Sequence, residues 1–180
     1  MSFVCLTPRC RSASGFVKVL EDDRPELVAR IKAADIVLFC TTIWWDGHSS
    51  SIQRVIERLD ALDEEYSASG RSAIKGKVAG IVITGSEDGA LSVMGSIMMV
   101  LSWMGFTLPP ECAAYWVGEV GQPTSEDRDK RLKNMATMHM AKGLAQNLVY
   151  HARLLKAHPQ SFVPGHATCC ERHAGLEAPV

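Results

Sequence analysis

Ala34-Asp35-Ile36-Val37-Leu38-Phe39-Cys40-Thr41-Thr42-Ile43-Trp44-Trp45-Asp46-Gly47-His48-Ser49-Ser50-Ser51-Ile52 is the stretch on which the fold turns. Asp35 to Thr41 is a short, unbroken apolar run with β-branched members, followed at once by a polar turn. Such a run suits a strand buried on both faces, as in a parallel sheet. Ser49, Ser50 and Ser51 then offer N-caps to a helix. Its apolar stripe, Ile52, Val55, Ile56, Leu59 and Leu62, recurs at three- and four-residue spacing, with Arg54, Glu57, Arg58 and Asp60 elsewhere on the helix.

The same rhythm extends in both directions. Val78 to Thr84 predicts a second buried strand, and Ala113 to Val117 a third, shorter and aromatic. Asp22-Asp23-Arg24-Pro25 places acids and a first-turn proline ahead of Leu27, Val28 and Ile31, which marks a helix start. Asp88-Gly89 opens an uncharged helix from Ala90 to about Met104. After Gly121-Gln122-Pro123, Ser125 with Glu126 and Asp127 predicts the cap of one long final helix reaching about Lys156. Strands alternating with helices define an α/β domain: a parallel sheet with helices on both faces. Residues 65–76 read as a surface loop, residues 1–158 as the domain, and residues 159–180, which lose all periodicity, as a C-terminal tail.

Composition narrows the class. The 180 residues carry 19 basic and 20 acidic side chains and are 47% hydrophobic, which fits one ordinary globular domain rather than a disordered chain. No basic block appears, so a nucleic-acid partner is not expected. Six cysteines at 5, 10, 40, 112, 169 and 170 lack the spacing of a disulfide framework, and a reducing, cytoplasmic setting is expected. No charged segment precedes an apolar run at the N-terminus, so no secretory leader is expected. Gly89 to Pro110 carries no charge, but its helical part spans only about 22 Å against about 30 Å of hydrocarbon, so it reads as a buried helix, not a membrane span.

In an open parallel sheet the ligand crevice lies beyond the carboxyl ends of the strands. The first strand ends in Thr41, Thr42, Ile43, Trp44, Trp45, Asp46 and Gly47. Indole faces suit the walls of a flat conjugated ligand, with threonine hydroxyls and loop amides on its polar edge. The same indoles would equally serve to cover the sheet end or fill a subunit interface. The second strand ends in Thr84, Gly85, Ser86, Glu87, Asp88 and Gly89. Its glycines permit close backbone approach, while two carboxylates make it a poor phosphate cradle. It contains neither a dinucleotide fingerprint nor a Walker loop, and its serine is misplaced for a nucleophile elbow.

Residues 34–60 resemble the flavodoxin-fold NAD(P)H-dependent FMN reductases and multimeric flavodoxins. Their corresponding stretch runs Ala-Asp, strand, Thr-Pro-Ile-Tyr/Trp-Trp-Gly, Ser-Ser, then a helix ending Asp-Arg or Glu-Arg-Leu-Asp. The likeness continues through Lys75-Gly76-Lys77-Val78-Ala79-Gly80, the Thr84-Gly85 loop, Gly105-Phe106 with Pro109-Pro110, and Tyr115-Trp116-Val117-Gly118. It implies a flavodoxin-like fold and FMN as cofactor, with Thr41 to Gly47 along the isoalloxazine ring, Trp44 or Trp45 against it, and Thr84 to Gly89 closing the opposite side. The expected cofactor-binding set is Thr41, Thr42, Ile43, Trp44, Trp45, Gly47, Thr84, Gly85, Asp88 and Gly89. Electrons from NAD(P)H would pass through the flavin to a quinone, another flavin or a small oxidant. The resemblance also implies a homo-oligomer, to which the apolar helix 90–104 can contribute. A competing reading is a flavin-free remnant that uses the tryptophan pair for a protein contact.

Two departures stand out. Thr42 replaces the usual proline, removing a fixed φ. The chain also reaches the family's third strand by residue 35, so the domain is expected to be N-terminally shortened, without the first strand and phosphate loop. Ser2 to Leu6 offers a surrogate strand, and Thr7 to Gly15 a surrogate loop with Arg9, Arg11, Ser12 and Ser14 as anion partners. Pro25 interrupts any helix long enough to complete that unit. No catalytic residue and no metal site are expected. His48 reads as a solvated helix-start histidine, and the His166 to His173 segment lacks zinc-ligand spacing. The methionines at 94, 98, 99, 104, 135, 138 and 140 read as core or interface filler.

Overall fold

The computed structural model describes residues 1–6, 24–60, 62, 73–86, 88–121 and 124–159. In chain order its elements are β1 (Phe3–Leu6), α1 (Arg24–Ala33), β2 (Ile36–Trp44), β3 (Gly47–His48), α2 (Ser50–Arg58), β4 (Val78–Gly85), α3 (Ala90–Trp103), β5 (Ala113–Val117), α4 (Thr124–Lys133) and α5 (Met135–Ala157). The sheet runs β1-β2-β4-β5 with every neighbouring pair parallel, and β3 folds back antiparallel on the end of β2. This is the parallel α/β arrangement that the strand-helix alternation predicts, and it agrees with the flavodoxin-like fold that the resemblance implies.

Period-two alternation divides the core into two layers. Val37, Phe39, Ile81 and Ile83 face one side and pack with Ile31, Ile52, Val93, Ile97 and Leu101 from α1, α2 and α3. Ile36, Val78 and Ala114 face the other side and meet Leu144, Leu148 and Ala152 of α5. Gly80 lets α5 sit close to the sheet, since a Cβ there would lie 2.9 Å from the side chains of Leu144, Leu148 and Leu38. At the amino edge, Lys77 Nζ donates to the carbonyls of Lys32 and Ala34, both at 2.7 Å, and closes the end of α1. Burial pushes the Lys77 ammonium pKa down, and the nearby Asp35 carboxylate opposes the shift.

The structure corrects four details. The family's first strand was expected to be missing, yet Phe3–Leu6 pairs with Ile36–Phe39 and takes the surrogate position; Asp35 secures it by accepting from the Ser2 amide at 2.8 Å. The rest of the N-terminal unit, including Arg9, Arg11, Ser12 and Ser14, lies outside the described residues, as do residues 65–72 and 160–180. The first long strand does not end at Thr41 but runs to Trp44 and reverses as a hairpin. The helix of the apolar stripe stops at Arg58, capped by Leu59, with Leu62 buried beyond it. The long final helix is broken at Asn134, whose extended backbone and side chain cap a new helix by accepting from the Thr137 amide at 2.9 Å. Among the described residues no helix is long and apolar enough to cross a membrane.

Candidate functional site

The carboxyl ends of β2, β4 and β5 come together at one edge of the sheet. Thr42, Thr84 and Trp116 stand in register across these three strands, so their side chains share the face covered by α5. Among the described residues neither the Thr42 nor the Thr84 hydroxyl has a hydrogen-bond partner. Trp116 is fixed by its indole, whose Nε1 donates to Asp127 Oδ1 of α4 at 2.6 Å. Gly118 makes room for that carboxylate, which a Cβ there would strike, and its amide donates to the Gly85 carbonyl at 2.7 Å.

Beyond Thr42 the chain makes the β2–β3 hairpin. Trp44 pairs with Gly47, leaving Trp45 and Asp46 as the two turn residues at φ 47° and 65°. Positive φ at both central positions is the primed turn whose twist matches a hairpin, normally built with asparagine and glycine. A tryptophan in that region is held against its own preference, and such outliers cluster at binding sites. The two indoles are 61% and 88% exposed. They do not fold back over the sheet end.

Three contacts hold the hairpin in place. At its base the Ser49 amide donates to Thr41 Oγ1 at 3.0 Å, and Ser49 Oγ in turn caps α2 by accepting from the Ile52 amide at 3.3 Å. On the flank, Ile43 fills the space left by Gly85, where a Cβ would sit 2.8 Å from the isoleucine side chain. At the tip, Gly89 at φ 115° packs against Asp46, with an added Cβ 2.8 Å from its Cα and in collision with its carboxylate. The glycines of the second loop thus bring the two loops against each other. Thr41 and Ile43 are buried framework. Thr42, Trp44, Trp45 and Asp88 are exposed, and Gly47, Thr84, Gly85 and Gly89 are half-buried.

A cavity of about 500 Å3 runs from this row beneath α5. Thr84, Trp116, Arg131 and Thr137 are among its polar and aromatic lining, and Leu38, Val82, Leu144 and Val149 are among its apolar walls. Trp116 and Arg131 were absent from the residues expected from the sequence. The signal for Trp116 was available, since the carboxyl-end rule that selected Thr42 and Thr84 applies equally to the third strand. Arg131 carried no such signal, because in a run of mixed charges it reads as solvated. His48 Nε2 lies 2.7 Å from Gln53 Oε1, an ordinary helix-start contact. No cluster of three potential metal ligands exists among the described residues.

Parallel strands ending in an aromatic hairpin and a glycine-rich loop define a flavodoxin-like α/β domain. The chain belongs to the NADPH-dependent FMN reductase family, which matches residues 5–119. It is 31% identical over 139 residues to 8-demethyl-8-aminoriboflavin-5'-phosphate synthase of Streptomyces davaonensis, covering 77% of this chain and 54% of that protein. It is 34% identical over 142 residues to the divalent metal cation transporter MntH of Mycobacterium bovis, covering 76% of this chain and 20% of that protein. The chain therefore spans about half the length of one curated relative and a fifth of the other. Among solved structures, RosB with bound 8-demethyl-8-formylriboflavin-5'-phosphate superposes at a TM-score of 0.72 with 27% identity, covering 90% of this chain and 64% of that one. The apo form of the NADH:FMN oxidoreductase EMOB, at 17% identity and a TM-score of 0.54, covers 83% of this chain and 68% of that one and shares the fold.

FMN is the cofactor of this family and NAD(P)H its reductant. The described residues fit the ring end of such a group: two unengaged hydroxyls in register, a pinned indole beside them, and two exposed indoles on a braced hairpin. The residues in the position of the phosphate loop lie outside the described ones.

Proposed function

We propose that the chain is an FMN-dependent oxidoreductase that passes electrons from NAD(P)H through bound flavin to a quinone, another flavin or a similar small acceptor. The observation that carries this reading is the hairpin: two exposed indoles on a strained turn, braced by Thr41, Ile43 and Gly89 beside a row of unengaged threonines. Structure spent on holding exposed aromatic surface in one place suits a flat ligand.

Bound flavin supplies the hydride and electron transfer itself. The chain's part is placement. Trp44 and Trp45 wall the ring and exclude water from one side. Thr42 and Thr84 present hydroxyls that can donate to or accept from its heteroatom edge, and Trp116, held by Asp127, closes the row. Gly47, Gly85, Asp88 and Gly89 complete the rim, with Thr41 and Ile43 acting from beneath. No side chain is assigned an acid or base role. The binding of a riboflavin phosphate by RosB supports the same ligand class, and membership of the reductase family argues against the flavin-free reading. The cytoplasm, a homo-oligomeric state and the absence of a nucleic-acid partner belong to the same proposal, supported by the cysteine pattern, the exposed apolar helix and the balanced charge.

Titrating FMN into the chain while following tryptophan emission tests the reading. Saturable quenching that is largely lost in Trp45→Ala is the expected result. Emission that FMN leaves unchanged, beyond its own absorbance, rejects it.

A further inference from the structure

The two faces of the sheet are covered unevenly. Helices α1, α2 and α3 pack on one, where Val37, Phe39, Ile81 and Ile83 are fully buried. On the other, α5 is the described helix that packs against the strands, and Leu38 and Val82 of the two central strands are left half-buried. A parallel sheet is ordinarily buried on both faces, so apolar side chains half open at its centre mark a place for further apolar matter.

The cavity of about 500 Å3 beneath α5 is that place. Its floor extends from Ile36 to Thr84. Ile36 is in register with Val78, six residues before Thr84, so the floor is about 20 Å long at about 3.3 Å per residue. Its roof is one stripe of α5 from Thr137 to Val149, about 18 Å of helix. Among the described residues that line it, Arg131 carries the only charge. Its guanidinium is half-buried and has no hydrogen-bond or ion-pair partner among the described residues. One turn earlier on α4, Asp127 accepts from Trp116 Nε1, which puts Arg131 at the same end of the cavity as Trp116 and Thr84. The Thr137 hydroxyl donates to the Tyr115 carbonyl at 3.4 Å. Arg131 and Thr84 are therefore the polar side chains left unengaged at that end.

We propose that this cavity binds a long-chain carboxylate, a fatty acid, with its head on Arg131 and Thr84 and its chain running beneath α5 across Val82 and Leu38 toward Ile36. An unpaired guanidinium at the mouth of an apolar cavity selects an anion. A single guanidinium matches a singly charged carboxylate, which it can hold through two parallel N–H bonds, whereas a phosphate dianion would stay half-neutralised beside Asp127. The length of the floor suits an extended hydrocarbon chain. An extended protein segment would instead set its backbone N–H and C=O groups against apolar walls that cannot satisfy them. The proposal rests on the cavity and Arg131 and is independent of the flavin reading.

Isothermal titration calorimetry of the full chain with decanoate and octanoate, both kept below micelle-forming concentrations, tests it. Decanoate should bind one per chain and about fifteenfold more tightly than octanoate, because each buried methylene adds about fourfold. Arg131→Gln should weaken decanoate about tenfold, and decylammonium, equally long but of opposite charge, should bind the wild type at least about tenfold more weakly than decanoate does. Val82→Phe, which narrows the middle of the floor, should shrink the difference between decanoate and octanoate. A wild type that takes up no decanoate leaves the cavity to a segment of the chain itself or to a protein partner and overturns the proposal. Binding that Arg131→Gln leaves unchanged, or that decylammonium equals, overturns it as well, since the head would then not be read. A chain-length dependence that a folded Val82→Phe variant leaves intact overturns the placement of the chain beneath α5.

Discussion

Replacing Trp45 by glycine separates what the hairpin does for the fold from what it does for a ligand. At φ 47° the tryptophan backbone is in the left-handed region, at a cost of about 1–2 kcal/mol for a residue with a Cβ. Glycine removes that cost but brings back about 0.4–1 kcal/mol through the greater freedom of the unfolded chain. The indole is 88% exposed, so about 30 Å2 of a side chain of some 250 Å2 is covered, worth about 0.7 kcal/mol. The terms nearly cancel, and urea unfolding of Trp45→Gly should agree with the wild type to within about 0.5 kcal/mol. FMN affinity should fall at least about tenfold, because the wall of the site is gone. Destabilisation beyond about 2 kcal/mol would show that Trp45 holds the fold together, and unchanged FMN affinity would remove it from the site. Either result refutes the reasoning.

Other perturbations follow the same contacts. Gly89→Ala places a Cβ into Asp46 at a φ that alanine resists, so it should cost about 3 kcal/mol in urea unfolding and weaken FMN binding by displacing the hairpin tip. Asn134→Ala removes the cap between α4 and α5 and should lower stability by about 1 kcal/mol with little effect on the flavin, read by thermal unfolding and FMN titration side by side. The Asp35 carboxyl is held below its ordinary range, chiefly by the Ser2 amide and then by Lys156, with desolvation opposing. Its contribution is therefore present above the unfolded carboxylate value of about 4 and is lost as pH falls through the lower folded value. Asp35→Asn should flatten that part of the stability-pH curve, and a curve unchanged by the substitution would contradict the assignment.

The strands and helices were legible because burial leaves a strong periodic mark. Val78 to Gly85 is apolar on both faces, and the stripe from Ile52 to Leu59 follows a single helix face. The hairpin was not legible. Its turn places Trp45 and Asp46 at positive φ, where local preference asks for asparagine or glycine, and only the bracing of Asp46 by Gly89 and of Ile43 by Gly85 permits it. The break at Asn134 was hidden within a long helical pattern because an asparagine is tolerated inside a helix, and its cap shows only once the Thr137 amide is located. The first strand, four residues long, was offered by the sequence only as a surrogate over Ser2 to Leu6, and its pairing with β2 identifies it. At the site, residue type selected the rim, but the division of labour came from geometry. Thr41 and Ile43 lie beneath the surface as framework, and Trp116 joins through register with Thr84.

The most direct test of the flavin assignment is the visible spectrum of the purified chain with FMN, before and after anaerobic addition of NADPH. Absorption bands near about 370 and 450 nm that stay with the protein through gel filtration, and bleach when NADPH is added, are the expected result. A protein that emerges colourless after incubation with excess FMN would contradict the central claim.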